Sequence, residues 1–308
     1  MFKIFTENGD KIGNGHVSRC LLLYNQILKL GNEAIIYLNK EGNDTFLKNC
    51  NYQLVDWWNG EVANRLIDNN DFVIVDSYIA SKEVLEIISN NAKNVLFVDD
   101  YDRMEYPKGL VFCPTLLNDN SRVLSGEEFF LVRQSFYSFK KNMHTGIVNQ
   151  VFLSLGTDIN NCLDEIINVI LSENKNIQIN VITNREINVE RVKTFYNLDE
   201  FEMAELISKC DLSIVSSGQT LLENLVIRQP FIALLTADNQ MRNYEFIQNK
   251  KLINYFLDVR DIDFIQKFKT TFKEQIKPNK LKTFYQKSNL KNSRDAAAKI
   301  IKILTKEY

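Results

Sequence analysis

Short apolar segments rich in β-branched residues alternate along the chain with longer segments whose apolar residues recur every three or four positions. The first kind predicts buried strands, and the second predicts amphipathic helices. In the first half, strands are predicted at 2–5, 33–38, 72–76, 94–99 and 111–115. Helices are predicted between them at 16–30, 60–68 and 81–90. This alternation is typical of a parallel sheet with helices on both faces.

The same alternation starts again in the second half of the chain. Strands are predicted at 150–155, 177–183, 212–216 and 231–235, and helices at 162–172, 201–209, 219–227 and 239–248. Residues 292–308 carry apolar side chains at helical spacing. The pattern predicts an α/β protein with two Rossmann-like domains, at 1–145 and 146–290, and a C-terminal helix at 291–308. We expect the domains to face each other across a cleft at the carboxyl ends of their strands.

Composition narrows the possible functions. The chain has 308 residues, 45% hydrophobic and 25% charged, which is typical of a soluble globular protein. It contains 37 Lys and Arg against 39 Asp and Glu, so no nucleic-acid partner is expected. No segment approaches the ~18 apolar residues of a membrane span. The five cysteines are scattered without a C-x-x-C pair, which favours reduced thiols and a cytoplasmic location.

The first candidate site follows the first predicted strand. Gly13 and Gly15 permit positive φ and a close approach of the backbone to a ligand. His16, one of only two histidines, comes next at the start of a helix, and Arg19 lies one turn along the same face. A helix amino terminus attracts anions and disfavours imidazolium, so we expect His16 to be a neutral base that activates water or a hydroxyl. The alternative is a histidine that only packs or caps.

A second candidate site lies in two turns of the carboxyl half, one after each of the strands predicted at 150–155 and 212–216. Small residues in such turns let backbone amides point at a diphosphate. The turn residues singled out for this role are Gly156, Thr157, Ser216, Ser217, Gly218, Gln219 and Thr220. Glu223, one turn into the following helix, is placed to accept two hydrogen bonds from a ribose diol. An ordinary βαβ turn with a solvated glutamate has the same spacing and remains the alternative.

Two further polar segments end predicted strands. Tyr78 follows one of them and is expected to reach the cleft. Asp99 lies in "VDDYD", which resembles a metal-binding D-x-D motif but has no supporting ligands. A polar contact between Asp99 and the substrate is therefore favoured, and no metal site is predicted.

Six segments occur together in the order found in one known family. They are "IGNGHVSRCLLL", "FVIVDSY", "VLFVDD", "LVRQSF", "FLSLGTDINN" and "SSGQTLLENL" followed by "DNQMRN". With them the chain resembles the UDP-2,4-diacetamido-2,4,6-trideoxy-β-L-altropyranose hydrolases of pseudaminic acid biosynthesis, and their relatives among spore-coat polysaccharide proteins, over residues 2–255. That family is similar to the GT-B glycosyltransferases, so the resemblance implies a GT-B fold.

The resemblance also implies a reaction, one without a metal or a cofactor, in nonulosonic acid or surface-polysaccharide biosynthesis. His16 would help water attack the anomeric carbon of a UDP-linked hexose, and UDP would leave with inversion. The uridine diphosphate would contact the carboxyl half at Gly156, Thr157, 217–220 and Glu223, with Asn239 and Gln240 near the sugar or the phosphates. The implied partner is this small-molecule UDP-sugar, bound by a monomer or a weak dimer.

Three departures from the family pattern keep other functions open. The Arg-x-Asp that usually follows the first strand reads "FTENGDK", Leu155 replaces a glycine, and the chain continues into an additional helix. Two alternatives to a hydrolase are therefore carried forward. One is a GT-B glycosyltransferase in which a hydroxyl acceptor replaces water, and the other is a sugar-nucleotide binder without catalysis.

Overall fold

The chain folds into two compact units. The computed structural model describes residues 1–9, 14–101, 103–116, 120–141, 146–156, 162–291 and 294–306. Unit 1 comprises Met1–Leu131 with Asn292–Tyr308, and unit 2 comprises Val132–Lys291. The division falls before the boundary predicted at 145/146, and the C-terminal helix is part of unit 1. Each unit contains one parallel sheet with helices between its strands, so the predicted α/β class is confirmed.

Unit 1 is built on a seven-stranded parallel sheet. Its strands are β1 (Phe2–Thr6), β2 (Ala34–Asn39), β3 (Tyr52–Val55), β4 (Phe72–Asp76), β5 (Asn94–Val98), β6 (Leu110–Phe112) and β7 (Val123–Leu124), in the order β3-β2-β1-β4-β5-β6-β7. Its first helices are α1 (Gly15–Lys29), α2 (Gly60–Arg65) and α3 (Lys82–Asn91). The chain leaves β1 toward one side and β4 toward the other. The carboxyl ends of β1 and β4 therefore form the topological switch point where α/β proteins usually bind ligands.

Packing on both faces of this sheet fixes the switch point. On one face, α1 buries Val17, Cys20 and Leu23, whose spacing of three residues forms an apolar stripe against the sheet. On the other face, the buried indole of Trp57 donates a hydrogen bond of 3.0 Å to the carbonyl of Thr6 at the end of β1. The first turn of α1 is thereby held at the carboxyl edge of β1.

Unit 2 repeats the arrangement with five strands. They are β8 (Gln150–Ser154), β9 (Gln178–Ile182), β10 (Val192–Phe195), β11 (Leu212–Ser216) and β12 (Phe231–Leu234), in the order β10-β9-β8-β11-β12. Its helices are α4 (Leu163–Glu173), α5 (Glu200–Lys209), α6 (Gln219–Ile227), α7 (Met241–Asn249), α8 (Phe264–Gln275) and α9 (Pro278–Lys287). Its switch point lies between β8 and β11. The last helix, α10 (Ala296–Leu304), packs against α1 in unit 1.

Some elements were not predicted from the sequence. The strands β3, β7 and β10 are short, and β3 and β10 are edge strands with few buried residues, so the pattern of apolar positions is weak there. The helices α8 and α9 were also missed, although Phe264, Phe268 and Phe272 recur every four residues and are buried. None of the helices within the described ranges has the length and apolar character needed to cross a membrane.

Candidate active site

The switch point of unit 1 brings together side chains from α1, β4 and the segment after β5. Thr6, the last residue of β1, pairs in register with Asp76, the last residue of β4. His16 lies in the first turn of α1, directly above this pair of strand ends. Residues far apart in sequence therefore meet at one edge of the sheet because parallel strands end together.

His16 and Asp76 form a buried pair. The Nδ1 atom of His16 lies 2.5 Å from Oδ1 of Asp76, and the two side chains are 4% and 0% exposed. An ionised carboxylate has only acceptors, so Nδ1 carries the proton and donates it to Asp76. In the neutral ring, Nε2 is then the nitrogen that can accept a proton. The pair has the geometry of a base held in one tautomer by a carboxylate.

The electrostatics of His16 differ from the sequence-based expectation. Burial lowers the pKa of His16, but the charge of Asp76 and its hydrogen bond raise it further, so the net pKa lies above 6.5. The expectation that the helix amino terminus would favour the neutral ring is therefore corrected. A full negative charge at 2.5 Å outweighs the partial charge of a helix end. Burial raises the pKa of Asp76, but Arg19 and His16 lower it well below its usual range, so Asp76 is ionised.

Arg19 is held by two carboxylates. Its Nε and Nη2 atoms donate to Asp76 at 2.8 and 2.9 Å, and its Nη1 atom donates to Asp100 at 2.5 Å. Burial lowers the pKa of Arg19, but Asp100 and Asp76 raise it well above its usual value. One arginine and two carboxylates give the cluster a net charge of −1 while His16 is neutral. Arg19 thus completes the His16 pair and does not make this edge a site for phosphate.

Tyr78 extends the same cluster, while Asp99 does not join it. The Tyr78 ring lies edge-on to His16 at 4.3 Å, and its hydroxyl donates to Asp100. Asp99 is buried, and its two oxygens accept from the backbone amides of Tyr101 and Arg103 at 3.0 and 2.9 Å. The expected contact of Asp99 with substrate is corrected, since its oxygens hold the following loop. Asp100, one residue later, is the carboxylate that the prediction missed.

Among the described residues, no group of three or more His, Cys, Asp or Glu side chains is placed to hold a metal ion.

A buried glutamate supports the Tyr78 segment and was also missed. Glu7, which follows β1, is 0% exposed and accepts from the Ser77 hydroxyl, the Tyr78 amide at 2.7 Å and the Trp58 indole at 3.2 Å. Glu7 is part of the "FTENGDK" segment, where the family pattern has Arg-x-Asp. A polar residue directly after an apolar strand was the signal that pointed to it.

The glycines before His16 have different standings. Gly13 lies outside the described residues. Gly15 is the first residue of α1, does not have positive φ, and has no atom within 4 Å of the position a Cβ would take. The expectation that Gly15 uses its conformational freedom is therefore corrected, because its backbone is already helical. Open space beside it is compatible with a ligand approaching the helix terminus.

The switch point of unit 2 uses neutral groups. Gly156 follows β8 with φ +70°, a conformation that favours glycine, and a Cβ there would lie 3.9 Å from the Ser216 hydroxyl at the end of β11. Gly218 is the residue before α6, which opens with Gln219 and Thr220. The turns after β8 and β11 thus lie side by side at the amino terminus of a helix. Thr157 lies outside the described residues.

Ser217 and Gln240 stabilise this turn from behind. The Ser217 amide donates to the Leu234 carbonyl at 2.9 Å and lies 3.2 Å from the Gln240 Oε1 atom, so the expectation that this amide points at a diphosphate is corrected. It is engaged because it continues the ladder between β11 and β12. Gln240 Oε1 also accepts from the Thr236 amide at 3.2 Å. Asn239 lies beside it in the same short 3₁₀ turn.

Glu223 pairs with an arginine that the prediction missed. Its two oxygens accept from Nε and Nη2 of Arg133 at 2.7 and 3.0 Å, and the side chain of Glu223 is fully buried. Burial raises the pKa of Glu223, and Arg133 offsets only part of that shift. The expectation of a ribose at both oxygens is corrected, since the guanidinium occupies them. Arg133 belongs to "LVRQSF", one of the segments that carried the family resemblance.

These two units define a GT-B fold. The chain superposes on the crystal structure of Acinetobacter baumannii MurG with a TM-score of 0.68 and 14% identity, over 99% of each chain. It superposes on the spinosyn rhamnosyltransferase SpnG, complexed with thymidine diphosphate, with a TM-score of 0.66 and 9% identity, over 98% of this chain and 100% of that one. At these identities the likeness shows the fold alone.

Two curated relatives align with most of the chain. Over 241 residues it is 27% identical to a Helicobacter pylori protein named pseudaminic acid cytidylyltransferase and UDP-2,4-diacetamido-2,4,6-trideoxy-beta-L-altropyranose hydrolase, covering 74% of this chain and 43% of that protein. Over 288 residues it is 23% identical to an uncharacterised protein of Methanocaldococcus jannaschii, covering 79% and 57%. The resemblance stated from the motifs is confirmed. The chain spans about half the length of the curated relatives it matches, and no protein-family model matches it.

Proposed function

We propose that the chain is a nucleotide-sugar hydrolase that releases UDP from a UDP-linked hexose by attack of water at the anomeric carbon. The sugar is of the diacetamido-trideoxy class that the name of the Helicobacter relative specifies. The observation that carries the proposal is the buried His16–Asp76 pair at the switch point of unit 1. A base held in one tautomer beside a ligand-binding edge is suited to removing a proton from water.

The proposed step balances as a single displacement. The water oxygen forms a bond to the anomeric carbon while its proton passes to Nε2 of His16. The bond between that carbon and the β-phosphate oxygen breaks, and its electron pair leaves with UDP, so the configuration inverts. Asp76 stabilises the imidazolium that forms, because its charge lies 2.5 Å from Nδ1. No metal ion takes part in this step.

Each unit has a distinct role in the proposal. The cluster in unit 1 has a net charge of −1 with neutral His16, so it suits the hydroxyl and amide groups of a sugar better than a diphosphate. Tyr78 and Asp100 are the groups beside His16 that contact the sugar. In unit 2, Gly156 and residues 218–220 receive the diphosphate, with Thr157 and Asn239 as further contacts and with Gln240 holding the turn. The Arg133–Glu223 pair positions α6 behind them.

The test is UDP release in the absence of an acceptor. Purified protein is incubated with a panel of UDP-hexoses, including diacetamido-trideoxy sugars, and free UDP and reducing sugar are quantified. We expect equal amounts of both from at least one substrate. His16→Gln should lower the rate by about 10²–10⁴-fold, which is the usual contribution of a general base. Lys48→Gln, an exposed change in the same unit, is the matched control.

Two outcomes would replace the proposal. Release of UDP only after a hydroxyl acceptor is added would indicate a glycosyltransferase with the same base. Tight binding of UDP-sugars without release under either condition would indicate a non-catalytic binder. Full activity of His16→Gln would contradict the assignment of the base for either enzyme.

A further inference from the structure

A cavity of 280 Å³ lies in unit 1, at the edge of the sheet opposite to His16. Its wall contains Asn94 and Leu110, the first residues of β5 and β6, whereas His16 and Asp76 lie at the carboxyl edge. The cavity is therefore separate from the proposed active site.

The cavity combines an apolar floor with a cationic rim. Val95 and Leu110 are buried at its base, and Ala92 is half-buried beside them. The rim carries Lys93, Lys108 and Arg122, all exposed. None of the described side chains that line the cavity is acidic. The rim therefore presents three positive charges around an apolar depression.

Arg122 is held in place without being neutralised. Its Nε atom donates to the Gly109 carbonyl at 2.9 Å, and Nη2 donates to the Pro107 carbonyl. Backbone carbonyls fix the direction of the guanidinium but carry no net charge to offset it. A fixed guanidinium loses less side-chain entropy on binding an anion, and its planar fork matches the oxygens of a phosphate.

We propose that this cavity binds a small organic phosphate monoester, with the phosphate on Arg122 and Lys108 and the organic group on the apolar floor. A dianion matches a rim of three cations better than a single carboxylate does. The volume is near the lower end of the range for small-molecule sites, which limits the organic group to about one ring. The proposal does not depend on the reaction at His16.

Phenyl phosphate is the probe, because it has one ring and one dianion. Its binding to the full chain is measured by calorimetry, with inorganic phosphate and phenol as probes of each part alone. We expect phenyl phosphate to bind at least about tenfold more tightly than inorganic phosphate, since burying one ring contributes more than 1.4 kcal/mol. Phenol should bind more weakly than either.

Variants locate the binding. Lys108→Gln should weaken phenyl phosphate binding several-fold, and the double variant Lys108→Gln/Arg122→Gln should abolish it. Lys48→Gln and His16→Gln should leave it unchanged, and melting temperatures identify any variant that misfolds. Lys108→Gln alone keeps the test valid if Arg122 proves necessary for folding. Equal binding of phenyl phosphate and inorganic phosphate, or unchanged binding by Lys108→Gln, would overturn the proposal.

Discussion

The two switch points have the same topology and opposite chemistry. At the switch point of unit 1, four ionisable side chains contact one another: His16, Arg19, Asp76 and Asp100. At the switch point of unit 2, the turn is formed by glycine and by neutral groups such as Ser217 and Gln240. Buried charges hold a proton acceptor in a defined state, whereas neutral dipoles suit an anion that must bind and then leave. The comparison assigns proton transfer to one unit and nucleotide binding to the other.

The largest expected effect separates these two roles. His16→Gln should lower the rate of acceptor-free UDP release by about 10²–10⁴-fold while the dissociation constant for UDP stays unchanged. The reason is that the variant removes the base and leaves the turn of unit 2 intact. Rate assays and calorimetric titration with UDP check the two halves of this prediction. A parallel loss of UDP affinity would break the comparison.

The next effect concerns stability. Asp76→Asn should lower the free energy of unfolding by about 3–5 kcal/mol, because it leaves the buried Arg19 without one of its two carboxylates. Glu223→Gln in unit 2 should cost less, about 1–3 kcal/mol, since the side chain of Arg133 is 31% exposed and reaches solvent. Urea unfolding of both variants at neutral pH tests the difference. Equal losses would show that the two pairs are equivalent.

The same two carboxylates predict opposite responses to acid. The pKa of Asp76 is lowered on folding, so its contribution to stability is present above its unfolded pKa and is lost as pH falls through the folded value. The pKa of Glu223 is raised on folding, so its contribution is present below its unfolded pKa and is lost as pH rises through the folded value. Urea unfolding of the two variants across acidic pH should show each slope removed separately. Identical pH profiles for wild type and Asp76→Asn would contradict the prediction.

A smaller effect tests the neutral turn. Gln240→Ala removes the acceptor for the amides of Ser217 and Thr236, which should cost about 1 kcal/mol or more and weaken UDP binding about tenfold. Gln248→Ala is the matched control, because Gln248 bonds to the Tyr255 carbonyl at the far end of α7. Calorimetric titration with UDP compares the two variants. Equal affinities would remove Gln240 from the account of the nucleotide site.

The smallest effect compares the two glycine positions. Gly15→Ala should stabilise the protein by about 0.4–1 kcal/mol, because Gly15 has helical backbone and open space around it. Gly156→Ala should destabilise it by about 1–2 kcal/mol, since φ is +70° there. Thermal unfolding without ligand measures both. A loss of stability in Gly15→Ala would mean that this position does need glycine.

The sequence predicted the elements that bury a continuous apolar face. The strand at 72–76 and the helix at 219–227 match the structure at both ends. It also predicted His16, because glycines and a helix start surround it. It did not predict that Asp76, sixty residues away, would set the charge state of His16, because register between parallel strands brings them together. The expected roles of Ser217 and Glu223 failed for the same reason, since their partners lie on other elements.

The most direct test of the central claim is the pH dependence of kcat/KM for acceptor-free UDP release, in wild type and in Asp76→Asn. A base that works as neutral imidazole loses activity as pH falls through its pKa, which for His16 lies above 6.5. The account predicts an acid limb with an inflection above 6.5 in wild type and at lower pH in Asp76→Asn, because the charge that raises the pKa is gone. Inflections at the same pH in both proteins, or a wild-type rate that falls as pH rises through this range, would contradict it.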